Sequence, residues 1–230
     1  MSLFAIGDTH LSFGTDKPMD IFGGWQDYVG RLEKNWRAVV QKDDIVVIPG
    51  DISWAMSLEQ ALPDFMFLQS LPGTKLIMKG NHDYWWSTMN KLNVLFEKNG
   101  IDSVHMIFNN AYEAGDFAVC GTRGWFYDAA TGADKKVIAR EAGRLKMSID
   151  EGRKTGKEII VFLHYPPVTN EAECHELMQV LRDEGIKRCC YGHLHGESRS
   201  FAVSGKYDGI DFGLVSADNL GFCPKLLEKF

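Results

Sequence analysis

Five short apolar runs, each leading into a glycine- or proline-bearing turn with carboxylate, imidazole or amide side chains, constrain this chain most. Leu3-Phe4-Ala5-Ile6 leads into Gly7-Asp8-Thr9-His10, and Ile45-Val46-Val47-Ile48 into Pro49-Gly50-Asp51. Lys75-Leu76-Ile77-Met78 leads into Gly80-Asn81-His82-Asp83. Residues 158–163 lead into His164-Tyr165-Pro166-Pro167, and Cys189-Cys190-Tyr191 into Gly192-His193-Leu194-His195. Runs this brief, bounded by chain-turning residues, read as strands buried on both faces.

Helical patterns separate them. Trp25, Tyr28, Val29, Leu32, Trp36, Val39 and Val40 recur at helical spacing, with both tryptophans read as core. Ser57-Leu58-Glu59-Gln60 has the form of a capping box, and Pro63 either fits the helix it opens or divides it. Further helices are expected over about 86–98, around Ile138, Ala142, Leu145 and Ile149, and near 171–184. Residues 104–108 and 117–121 read as strands, and Gly121–Trp125 with Phe126-Tyr127-Asp128 as a loop. Segments 198–204 and 209–215 are expected to pair antiparallel across a turn at 205–208. Strands alternating with helices give an α/β fold. With no repeat, low-complexity tract or linker, residues 1–230 read as one domain.

Among 230 residues, 45% hydrophobic and 24% charged, there is enough apolar material for a sizeable core. A net charge of -6 gives no electrostatic footprint for nucleic acid. No apolar run is long enough to span a bilayer and no signal-peptide pattern follows Met1, so a cytoplasmic chain without a membrane partner is expected. Five cysteines without zinc-type spacing read as thiols in a reducing compartment. Oligomeric state has no signature in the sequence.

Five of the seven histidines stand at the strand ends; His105 and His175 do not. In open α/β sheets ligands gather outside the carboxyl ends of the strands. Carboxylate, imidazole and amide donors together suit Mn, Fe or Zn better than Ca or a thiolate-bound metal, and there are enough for two ions.

Taken in order, Asp8-x-His10, Gly50-Asp51, Gly80-Asn81-His82-Asp83, His164 and Gly192-His193-x-His195 resemble the calcineurin-like metallophosphoesterases, across nearly the whole chain. The resemblance implies a four-layer α-β-β-α sandwich of two mixed sheets with a dimetal site at one end. It implies that Asp8, His10, Asp51 and His195 hold one metal, that Asp51, Asn81, His164 and His193 hold the second, and that Asp51 bridges. His82 takes the position of the catalytic histidine, and Asp83 supports His82 or its loop. The implied reaction is hydrolysis of a small phosphomonoester or phosphodiester. A metal-bridging hydroxide attacks phosphorus, and His82 gives a proton to the leaving group.

The sequence departs from the protein Ser/Thr phosphatases after Gly50-Asp51, where Ile52-Ser53-Trp54-Ala55-Met56 lacks their acid and arginine. Trp54, Tyr84 and Tyr165 are candidates for stacking on substrate and Arg123 for clamping a phosphate. The rings are equally suited to walling the site. The other readings are a nuclease, which needs a basic or aromatic groove, and a non-catalytic scaffold on the same fold. The scaffold form usually loses metal or catalytic positions, and here all are filled.

Overall fold

The structure, a computed structural model, describes residues 1–125 and 132–230; Phe126-Tyr127-Asp128 lie outside the described residues. One sheet has the order β11-β1-β2-β3-β4, formed by Lys225–Lys229, Ser2–Ala5, Ile45–Ile48, Thr74–Ile77 and Val104–Met106. Its β1 to β4 are parallel, and β11 lies antiparallel on β1. The second has the order β5-β6-β7-β8-β10-β9, formed by Tyr112–Ala114, Phe117–Thr122, Glu158–Leu163, Arg188–Tyr191, Ile210–Leu214 and Gly205–Tyr207. Its four inner strands are parallel and its two edges antiparallel.

The period-two alternation of side chains explains why the inner strands are apolar throughout. Leu3, Ala5, Val47 and Leu76 point between the sheets, where they meet Val119, Ile160, Phe162 and Cys190. Their neighbours Phe4, Val46, Ile48 and Ile77 point outward under α1 (Tyr28–Val39), α2 (Leu58–Ser70) and α3 (Met89–Lys98). On the other side Ala118, Val161, Leu163 and Cys189 pack under α4 (Gly132–Arg153) and α5 (His175–Asp183). Three apolar layers therefore separate four layers of structure, α-β-β-α.

Pro63 lies inside α2, which stays one helix: Ser57 caps it by accepting from Gln60 N at 3.4 Å, and buried Ala61, Phe65 and Leu68 anchor it. That packing offsets the backbone bond the proline cannot make.

The expected pair at 198–204 and 209–215 is corrected. Residues Gly196–Phe201 form a 3-10 turn, and β9 and β10 pair across Asp208-Gly209. Both turn residues are left-handed, with φ of 51° and 79°, the two-residue turn that Asp-Gly favours. β5 and β11 went unread because short edge strands with exposed charged positions lack a clean apolar pattern.

Candidate metal centre

The parallel strands of both sheets deliver their carboxyl ends to one rim. There Gly7 N donates to Val215 O at 2.6 Å and Ala217 N to Gly7 O at 2.9 Å, which stitches β1 of one sheet to the end of β10 of the other. The turns that follow β1, β2 and β8 are left-handed at Asp8, His10, Asp51 and His193, with φ of 55°, 44°, 51° and 70°. Such torsions cost energy outside glycine and persist where the surroundings over-determine them, commonly at functional sites. Gly50 also has a positive φ, 96°, and a β-carbon on it would meet His164 Nδ1 at 2.6 Å.

Two triads of donor atoms result, Asp8–His10–Asp51 and Asp51–His164–His193, each within 4.8 Å and sharing Asp51. Asp51 Oδ2 lies 3.8 Å from His10 Nε2 and 3.5 Å from His164 Nε2. The Asn81 side-chain oxygen lies 2.6 Å from His164 Nε2 and 2.9 Å from His193 Nδ1. The His195 ring packs edge-on to His10, centroids 5.4 Å apart, outside both triads.

The chemistry of these atoms fits a cation. Pro49 O can only accept, so His164 Nδ1, 3.1 Å from it, carries the proton. Nε2 of the neutral ring then turns its lone pair toward the oxygens of Asn81 and Asp51, so three electron-pair donors converge. A carbonyl behind a ligating imidazole is the usual support for such a ring. Both His10 ring nitrogens and Asp51 Oδ2 are buried without a hydrogen-bond partner among the described residues.

The charges agree. Burial, with the neighbouring Asp51 carboxylate second, pushes Asp8 well above the usual carboxylate range; burial pushes Asp51 up to about 6. Burial holds His164 and His193 down at about 3 and lowers His10 and His195. Two buried carboxylates among neutral imidazoles make an environment that a divalent ion would stabilise.

His82 stands beside this cluster. Its amide donates to Asp51 Oδ1 at 2.8 Å, and its ring lies 4.4 Å from Trp54, which itself stacks on His10 at 4.8 Å and 20°. Burial holds His82 below its ordinary pKa.

Asp83 is fully buried. It accepts from Ile52 N, Ser53 N and Trp85 Nε1 on Oδ1, and from Gly80 N on Oδ2, at 2.7–3.2 Å. Burial and the Asp51 carboxylate push it up to about 7, against the three backbone donors. Of the two roles expected for it, this geometry is that of a loop support.

The aromatic candidates separate. Tyr165 lies against His193, ring centroids 4.3 Å apart, whereas Tyr84 is 55% exposed and meets His82 only at 6.1 Å. A cleft of about 660 Å³ opens on His82 and His195, walled by Trp25, Trp54, Phe22 and Arg199. Trp25 is thus both core, as expected, and cleft wall; helical spacing gave no sign of the second role. Arg123 lies to the other side: its carbonyl accepts from His164 N and Tyr165 N, while its guanidinium faces a separate cleft.

The amino-acid sequence matches no curated protein. The fold resembles that of a protein of unknown function from Aquifex aeolicus, with TM-score 0.54 and 16% identity over 98% of this chain and 95% of that one. It also resembles a phosphopantetheinyl hydrolase from Mycobacterium tuberculosis, with TM-score 0.50 and 15% identity over 94% of this chain and 88% of that one. The family of calcineurin-like phosphoesterases matches over residues 1–197, and with the rim of donors described above this chain belongs to that family.

Proposed function

We propose that this chain, working as one domain in the cytoplasm, is a dimetal phosphoesterase for a small phosphate ester. The observation that carries the reading is the pair of donor triads sharing Asp51. Asp8, His10, Asp51 and His195 hold one ion and Asp51, Asn81, His164 and His193 the other, with Mn, Fe or Zn suited to the set. Bound there, the ions supply positive charge against the phosphoryl oxygens and activate water. Pro49 O fixes the His164 tautomer, Asp83 holds the 80–83 loop on the 51–53 loop, and His82 gives its proton to the departing oxygen. The leaving group lies in the aromatic cleft beside His82, between Trp25 and Trp54. The phosphopantetheinyl hydrolase of similar fold supports a small phosphate ester as substrate.

The test is turnover of bis-p-nitrophenyl phosphate and p-nitrophenyl phosphate with added Mn, in wild type and His82→Ala. General acid catalysis contributes about 10²–10⁴-fold, so kcat on the preferred ester is expected to fall by that order. Undiminished turnover in His82→Ala would remove His82 from the reaction.

A further inference from the structure

One strand along the rim from the Asp51 cluster lies a second, smaller cleft of about 210 Å³. It is bounded by the residues that follow β3, β4 and β6 and by one face of α4, and Lys79, Arg123, Arg140 and Arg144 line it. Among the described residues the one carboxylate lining it is that of the fully buried Glu141, which accepts from Thr122 Oγ1 at 2.7 Å and from Arg144 at 2.8 Å. Arg140 and Arg123 approach the same carboxylate at 3.4 and 3.9 Å.

Among the described residues four cations line the cleft and Glu141 is the one acid in its lining, in a protein of net charge -6. Two of the guanidiniums are held by rings as well: Arg123 lies 4.8 Å from the centre of Trp125, and Arg144 lies 5.2 Å from that of Phe108. Arg123 Nε is buried with no acceptor among the described residues. At about 210 Å³ the cleft has room for a phosphate group, and its charged lining suits an anion.

We propose that this cleft is a second anion subsite, which takes a further phosphate of a substrate whose scissile phosphate sits over the Asp51 cluster. Guanidinium pairs recognise phosphate by charge and fork geometry together. Neighbouring strands are about 5 Å apart, so the two phosphates stand on the order of 5–10 Å from one another. The substrate class is then a small bisphosphorylated ester, with its apolar or aromatic part toward Trp25 and Trp54. The substrate half of this inference rests on the phosphoesterase reading, whereas the anion half does not.

Two measurements separate the halves. Calorimetric titration of the Asp51→Asn protein with inorganic phosphate is expected to show binding that weakens about tenfold or more when Arg123→Gln or Arg140→Gln is added. Both changes leave the 2.8 Å Arg144–Glu141 pair in place. No binding in Asp51→Asn, or binding indifferent to both arginines, would overturn the subsite. Wild type is then given alkanediol bisphosphates of two to six carbons and the matching monophosphates. A kcat/KM preference for one bisphosphate of about tenfold, lost in Arg123→Gln, is expected; equal kcat/KM would refute the substrate class. Phosphate binding without turnover of either series would uphold the anion site and count against the phosphoesterase reading alone.

Discussion

Gly80 rests its Cα against Asp51 so closely that a β-carbon there would lie 2.1 Å from Asp51 Oδ1 and 2.2 Å from the Asp51 amide nitrogen. The ends of β2 and β3 are in contact with no space for a side chain. Their approach presents Asp51 and Asn81 to the same point.

Gly80→Ala is therefore expected to separate the two turns. Relieving a contact this short costs about 1–3 kcal/mol, and bound metal falls because Asn81 and Asp51 move apart. Urea unfolding with metal analysis by mass spectrometry checks both. Unchanged metal content would mean that the turns yield without disturbing the donors.

Asp83 binds four N–H groups for which no other acceptor is found among the described residues, so Asp83→Ala leaves several buried donors unpaired. At about 1–3 kcal/mol for each buried unsatisfied group, a loss of about 3 kcal/mol or more is expected. His82→Ala, on a half-buried ring, is expected to lower kcat with little change in melting temperature. Equal melting temperatures for Asp83→Ala and wild type would refute the role of loop support.

Asp51 takes part in both triads, so Asp51→Asn is expected to lower the metal content from about two ions per chain to one or none, more than any other single change in the set. Chelation of the wild type is expected to lower its melting temperature, since the ions bind only the folded chain. A variant still holding two ions would exclude Asp51 as the shared ligand.

Asp64 offers a pH test away from the metal centre. Its carboxylate is fully buried, accepts from Ser53 Oγ and from Phe13 N at 2.8 Å, and burial raises it from 3.8 to about 6. Since the folded value is the higher one, its favourable contribution is present below about pH 4 and disappears as pH rises through about 6. Asp64→Asn keeps an oxygen to accept from Phe13 N, offers an N–H to Ser53 Oγ in place of the second acceptor, and cannot ionise. It is expected to match wild type near pH 4 and to exceed it at pH 7 by on the order of 2 kcal/mol, each tenfold in proton affinity being worth about 1.4 kcal/mol. Denaturant midpoints of the pair at the two pH values measure this; a constant difference would show that Asp64 does not titrate in the folded range.

Much of this was legible along the chain because inner strands of a sandwich are apolar on both faces and stop abruptly. Ile45–Ile48 and Glu158–Leu163 lie where apolar run and turn residue placed them. The turn between β9 and β10 lies at Asp208-Gly209 and not across 205–208 as expected, although Asp-Gly is itself a hairpin signal in the sequence. Edge strands such as Lys225–Lys229 were not legible, since half of each faces water.

The linear order of residues by itself determined the donors, their positions at strand ends and the family they spell, because strand, turn and donor are neighbours in the chain. Only the tertiary structure decided which donors converge on Asp51, that Asp8, His10, Asp51 and His193 turn left-handed, and that Asp83 binds the loop. It alone brought Lys79, Arg123, Arg140 and Arg144 around Glu141, from three separate segments. The reason is physical: distance along a chain controls local turns, whereas the packing of one sheet on another controls which distant side chains share a few ångströms.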